Sequence, residues 1–142
     1  MDERTIREMV VKNYEQGFHC AESILNTICE LNSKDPAPFT RVVSGLRGGV
    51  GKCRQDICGA LSGGAVVLGV LYGRDQGGEN IDRMVEMTAE FRQRFIREFT
   101  TTVCQKVIEN WQARPEYQSC RDVTAKASQI LQNLIEENYI KS

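Results

Sequence analysis

An uncharged run, GALSGGAVVLGVLY at positions 59 to 72, is the most apolar part of this chain and contains three interior glycines. A helix needs roughly 20 apolar residues to cross a bilayer, and this run has fourteen, one of which is Ser62. Each glycine inside a helix costs about 1 kcal/mol relative to alanine, so a close neighbour must offset that cost. We therefore predict a buried, glycine-rich helix at the centre of the fold, without membrane insertion.

Apolar residues elsewhere in the chain recur at intervals of three and four, which is the spacing of one helix face. A further short helix is expected after the sequence TTVC, and no segment alternates apolar and polar residues over the length of a strand. These patterns predict an all-α fold, a compact bundle of about six helices in a single domain over residues 1–142. The stripes follow residues 6–14, 21–28, 39–46, 81–99 (with Asn80 as its cap) and 123–134.

Composition narrows the class of function. Eighteen basic residues against nineteen acidic ones, spread along the chain, give no basic patch for nucleic acid or for a membrane surface. The charged N-terminal sequence MDERTIRE does not resemble a secretory signal, so we expect a cytoplasmic protein. Six cysteines are many for that reducing compartment, where disulfide frameworks are rare. Metal binding or redox chemistry is therefore the leading class.

Two of these cysteines are predicted in the first turn of a helix. Asp56 is a good N-cap, which places Cys58 at the second position of the glycine-rich helix. Thr101 or Thr102 can cap the short helix that follows, and Cys104 then lies in its first turn.

Two more cysteines are predicted at helix starts. Ser119 and Asp122 form a variant of the capping box, with Cys120 as the first helical residue, and Cys20 opens the second helix. A helix N-terminus carries a partial charge of roughly +0.5, which favours thiolate over thiol. Four converging ends would sum to roughly +2, comparable with the net −2 of a dication held by four thiolates. This predicts a metal or cluster site but does not distinguish zinc from an iron–sulfur cluster.

The remaining cysteines and the single histidine are less informative. Cys29 lies inside the second helix, and we interpret it as packing. Cys53 is five residues before Cys58 and is a candidate fifth ligand, a resolving thiol or a bystander, with a role at the site favoured. His19 is a candidate to tune or replace a thiolate ligand, but a lone histidine at a helix start is more often a surface or capping residue. The sequence GGVGKC at 48–53 departs from the phosphate-binding loop motif, so nucleotide binding is rejected.

The order of these cysteines resembles a known family. Cys20, then CGALSG from Cys58 to Gly63, then Cys104 and Cys120 follow the pattern of the C-GCAxxG-C-C family, small bacterial and archaeal proteins described as redox-active. The Cys-Gly-Ala-x-x-Gly core is matched in full, and the resemblance spans nearly the whole chain.

The resemblance implies redox activity and favours an iron–sulfur cluster, because a similar domain occurs in split-Soret cytochromes, where such a centre accompanies the haems. This chain has no Cys-x-x-Cys-His haem attachment motif, so the shared property would be the cluster. Cys29 and Cys53 lie outside the four-cysteine pattern.

Three hypotheses follow. The first is a redox protein that binds a cluster through Cys20, Cys58, Cys104 and Cys120, with Cys53 nearby, and passes single electrons to an unidentified partner protein. The second is a thiol–disulfide oxidoreductase or redox sensor in which Cys58 is the nucleophile and Cys53 or Cys104 resolves it. The third is a structural zinc site on the four cysteines. A homodimer is compatible with each of them.

Overall fold

The structure is a computed structural model that describes the backbone of residues 1–141 and the side chains of residues 1–138. Within that range the chain forms six α-helices, one 3-10 helix and no strand, so the predicted all-α fold is confirmed. The 3-10 helix, Thr40–Leu46, replaces the ordinary short helix predicted over 39–46. The α-helices are α1 (Glu3–Glu15), α2 (Cys20–Leu31), α3 (Gly59–Tyr72), α4 (Asp82–Phe99), α5 (Cys104–Gln112) and α6 (Cys120–Lys141).

Helix α3 is the glycine-rich helix, and it packs against α2, α4 and α6 as well as the 3-10 helix. Its residues 59–64 are buried without exception. Among the described residues, no helix is long and apolar enough to cross a membrane. Helices α2 and α4 supply half of the largest fully buried side chains among the described residues, namely Ile24, Leu25, Ile28, Phe91, Phe95 and Phe99.

Two of the interior glycines of α3 are places where neighbours approach too closely for a side chain. A Cβ atom at Gly63 would lie 2.7 Å from both the Cα and the carbonyl oxygen of Ala21 in α2. A Cβ atom at Gly64 would collide with the ring of Phe91 in α4. Gly69, in contrast, has nothing within 4 Å of that position. Close packing of helices thus offsets the cost of the first two glycines but not of the third.

Three predicted helix starts are wrong by a residue or two. Helix α5 begins at Cys104 with Val103 in the capping position, so neither Thr101 nor Thr102 caps it. Helix α3 begins at Gly59, so Cys58 is the capping residue and not the second helical residue, and Asp56 does not cap it. Helix α4 begins at Asp82 with Ile81 in the capping position, although the Asn80 side chain still accepts a hydrogen bond from the Asp82 amide at 2.8 Å.

Candidate functional site

Four thiols line one cavity at the end of the bundle where α2, α3, α5 and α6 begin. Cys20, Cys104 and Cys120 are the first residues of α2, α5 and α6, and Cys58 immediately precedes α3. All four line a cavity of about 180 Å³, and all four are free thiols. Cys58 and Cys104 are buried, whereas Cys20 and Cys120 are partly exposed. The structure therefore brings together the four cysteines that the sequence places at helix starts.

Backbone pairing holds the starts of α3 and α5 side by side. The amide of Cys58 donates to the carbonyl of Thr102 at 2.7 Å, and the amide of Cys104 donates to the carbonyl of Asp56 at 2.8 Å. These bonds flank an isolated antiparallel bridge between the residues that precede the two cysteines, Ile57 and Val103. Next to this bridge the backbone of Cys58 is still extended, with a ψ of 133°, so α3 starts one residue after it.

Gly59 makes room for the thiol of Cys20. A Cβ atom at position 59 would collide with the Cys20 sulfur and would lie 3.1 Å from the carbonyl oxygen of Leu46. The Cys-Gly pair at the start of α3 therefore has a steric reason, because any side chain after Cys58 would displace the neighbouring thiol.

The start of α6 is fixed by the predicted capping box. Ser119 Oγ accepts from the amide of Arg121 at 3.2 Å, and the Asp122 carboxylate accepts from the amide of Ser119 at 3.1 Å. The same carboxylate pairs with Arg7 of α1. Cys120 is therefore held by its own cap and by an ion pair to another helix.

Burial opposes ionisation of three of the thiols. It raises the pKa of Cys58 to about 12, and repulsion from the Cys20 thiol adds to the effect. Burial also raises the pKa of Cys104 and of Cys120. The amides of Ala60 and Leu61 at the start of α3 lower the pKa of Cys58 only in part. The predicted stabilisation of thiolates by helix N-termini is therefore present but outweighed.

A left-handed turn closes one side of the cavity. Residues 48–52 all have positive φ, between 60° and 75°, and they include Val50, a residue type that rarely adopts this conformation. The amide of Lys52 donates to the carbonyl of Arg47, and the amide of Arg54 donates to that of Gly48. A Cβ atom at Gly49 would lie 2.7 Å from the Cβ of Cys104. The turn is therefore packed directly against one of the four cysteines.

The other sulfur and imidazole side chains lie at or beyond the edge of this site. Cys53 is exposed, donates to the carbonyl of Gly49 at 2.6 Å and does not line the cavity. Cys29 is buried in the core, as predicted, and burial raises its pKa to about 11. His19 lines the cavity, and burial together with Arg47 lowers its pKa.

Sequence patterns gave no indication of two aromatic side chains at the site. Tyr14 lines the cavity from α1, and its hydroxyl lies 3.0 Å from Thr124 Oγ1. Trp111 of α5 has a buried indole N–H with no hydrogen-bond partner among the described residues. That N–H is near enough to the Cys120 sulfur to lower the pKa of the thiol, which burial raises. Tyr14 belongs to the apolar stripe of α1, so its spacing indicates only core packing.

The donor set fits a group that is held by thiolates. Cysteine sulfur is the ligand of iron–sulfur clusters and of many zinc sites. A cavity holds one water molecule once it reaches roughly 10 to 15 Å³, so about 180 Å³ admits a group of several atoms. Among the described side chains, no three of the His, Cys, Asp and Glu residues are gathered so that they hold a single metal ion.

Comparison with known proteins identifies one family. A family model described as "Putative redox-active protein (C_GCAxxG_C_C)" matches residues 18–134, a range that contains all four cavity cysteines. No curated protein and no solved structure matches the chain.

Proposed function

Since the chain belongs to the C_GCAxxG_C_C family of redox-active proteins, we propose that it is a redox protein whose Cys20, Cys58, Cys104 and Cys120 hold an iron–sulfur cluster. The observation that carries the proposal is that four thiols from four separate helix starts line one cavity. A bound cluster would supply a one-electron couple, and the protein would pass single electrons to a partner.

The arrangement suits a group of several atoms better than a single ion. A tetrahedral zinc site with bonds of about 2.3 Å needs its four sulfurs roughly 3.8 Å apart around one point. The thiols here surround a space of about 180 Å³ and do not meet at one point. In a cluster, separate irons take separate cysteines, which matches thiols spread around a cavity.

The chain's own residues prepare the site in two ways. The amides of Ala60 and Leu61 at the start of α3 lower the pKa of Cys58 and so favour its ionised form. Apolar surface, including Val107 and Val123, forms most of the cavity wall and limits access of water to the sulfurs. Four ionised thiols in so small a space repel one another, and the positive charge of iron offsets that repulsion.

Single cysteine substitutions test the proposal. We expect Cys20→Ser, Cys58→Ser, Cys104→Ser and Cys120→Ser each to lose visible absorption, iron and acid-labile sulfide in protein purified without oxygen. Cys53→Ser is the matched control, because this thiol is exposed and lies outside the cavity lining, and it should keep the full spectrum. A full spectrum in all four cavity variants would refute the assignment.

The same preparations distinguish the two alternatives. Zinc in place of iron, in a colourless protein, would indicate a structural zinc site on the same cysteines. For the thiol–disulfide alternative, the pairing that holds the starts of α3 and α5 together favours Cys104 over the exposed Cys53 as the partner of Cys58. A reversible Cys58–Cys104 disulfide after mild oxidation, measured by mass spectrometry in iron-free protein, would support that reading.

A further inference from the structure

Three basic side chains stand at the mouth of the cysteine cavity. Arg47, Lys52 and Arg54 all line it, and all three belong to the segment that contains the left-handed turn. Arg47 and Lys52 act electrostatically on His19, and Arg54 acts on Cys104 and Cys120. We call these three residues the basic rim.

The basic rim has no counter-charge bound to it. Among the described residues, none of its three side chains forms an ion pair or a side-chain hydrogen bond, whereas Arg7, Arg94 and others elsewhere are paired with carboxylates. Asp56 is the one acidic residue in segment 47–57, and its carboxylate lies 3.5 Å from the Cys53 sulfur. Glu22 acts on the same His19 as Arg47 and Lys52, so two acidic groups stand near three cations. The excess of positive charge is local, since the whole chain has a formal net charge of −1.

The backbone that presents the basic rim is strained. Val50, Lys52 and Arg54 have φ values of 69°, 63° and 63°, a conformation that costs an L-residue roughly 1 to 2 kcal/mol. Strain of this kind persists where the surrounding structure enforces it and is concentrated at functional sites. The same segment exposes two apolar side chains, Val50 at 46% and Ile57 at 38%.

We propose that the basic rim is the docking surface for a protein partner that presents an acidic face, with Val50 in the contact. The role of this surface in electron exchange depends on the proposed function above. Lys52 and Arg54 are exposed to solvent, where one small anion gains little from each charge. A protein face can engage the three cations and the apolar side chain together, and complementary charge speeds the encounter.

A soluble plant-type ferredoxin, which is acidic, is a suitable probe. The test compares Lys52→Gln/Arg54→Gln with Lys12→Gln/Arg92→Gln, which removes two exposed charges elsewhere on the surface. We expect the dissociation constant for ferredoxin to rise roughly tenfold at low ionic strength in the first variant only, and the difference to shrink at high salt. Carbodiimide cross-linking should join Lys52, and not Lys12, to ferredoxin carboxylates.

The following results would each refute the proposed docking surface. Equal affinity of the two variants, absence of binding at low salt, or preference for basic cytochrome c would each do so. Release of ferredoxin by millimolar inorganic phosphate at constant ionic strength would indicate a small-anion site instead. Iron and sulfide are measured on the same samples. Failure of the cluster assignment can therefore be distinguished from failure of the docking-surface proposal.

Discussion

Replacing Gly63 by alanine should destabilise the protein, whereas the same replacement at Gly69 in the same helix should stabilise it. In a helix interior, alanine is more stabilising than glycine by about 1 kcal/mol. At Gly69 the new methyl group meets nothing within 4 Å, so most of that gain is expected. At Gly63 the methyl group would lie 2.7 Å from the backbone of Ala21, which cannot rotate away as a flexible side chain would.

The magnitude at Gly63 follows from the helix contact. Helices α2 and α3 must separate to admit the methyl group, and overpacking of this kind costs roughly 1 to 3 kcal/mol. After the propensity gain, Gly63→Ala should lose up to about 2 kcal/mol. At about 3 °C per kcal/mol for a domain of this size, the melting temperature should rise by about 3 °C in Gly69→Ala and fall by up to about 6 °C in Gly63→Ala.

Thermal and urea denaturation measure the stability of the two variants. The iron bound per chain is a third measurement, and it tests whether helix packing affects the site. Because Cys20 opens α2, separation of α2 from α3 should also shift its thiol and reduce the iron bound per chain in Gly63→Ala. Gly69→Ala should bind the wild-type amount. Equal stability of the two variants would refute the packing argument, because it would mean that Ala21 does not lie against Gly63.

Three further predictions concern the site and its supports. Gly59→Ala should leave helix content near the wild-type value but abolish iron binding, since its methyl group would occupy the place of the Cys20 sulfur; iron analysis and circular dichroism check both parts. Val50→Gly should stabilise the protein by up to about 1 kcal/mol by relieving the strained φ, whereas Val42→Gly, also at an exposed valine but in the 3-10 helix, should not; urea midpoints compare them. Burial alone would raise the pKa of Glu98, but hydrogen bonds from Arg114 and Tyr117 hold it below its ordinary value. Glu98→Gln should therefore cost up to about 1 kcal/mol at pH 7. This loss of stability relative to the wild type should be fully present above the ordinary glutamate pKa, near pH 4.3, and should vanish as the pH falls through the lowered pKa of Glu98. Urea titrations at several pH values measure it.

The helices and most of the cysteine positions could be predicted because their signals are local. The stripe of Phe91, Phe95 and Phe99 lies on one helix face by spacing alone, and the capping box at Ser119 involves residues three apart. The position of Cys58 was wrong by two residues, because the bridge between Ile57 and Val103 keeps the backbone before α3 extended, a contact that no local pattern reveals.

The rest of the site depends on contacts between distant segments. Val50, Lys52 and Arg54 have no intrinsic preference for positive φ, so the left-handed turn could not be read from their types, although three glycines between 48 and 51 were a partial signal. Burial of Cys58 and Cys104 reversed the expected direction of their pKa shifts, because desolvation depends on the whole bundle and not on the helix start.

The four helix starts explain how a small bundle can hold its sulfurs in fixed positions. Each cysteine lies at or next to the first residue of a helix, so its Cα position is set by the packing of that helix and not by a mobile loop. Two of the helices are joined by backbone pairing before Cys58 and Cys104, and a third is tied to α1 through Asp122. Rigid ligands need little reorganisation when they bind a group or when its charge changes. The strained turn at 48–52 instead contains Lys52 and is flanked by Arg47 and Arg54, so it presents the positive charges at the mouth of the cavity. The helices therefore set the positions of the cysteines, and the basic rim serves partner recognition, so substitutions of the exposed Lys52 and Arg54 should alter association without altering the cysteine positions.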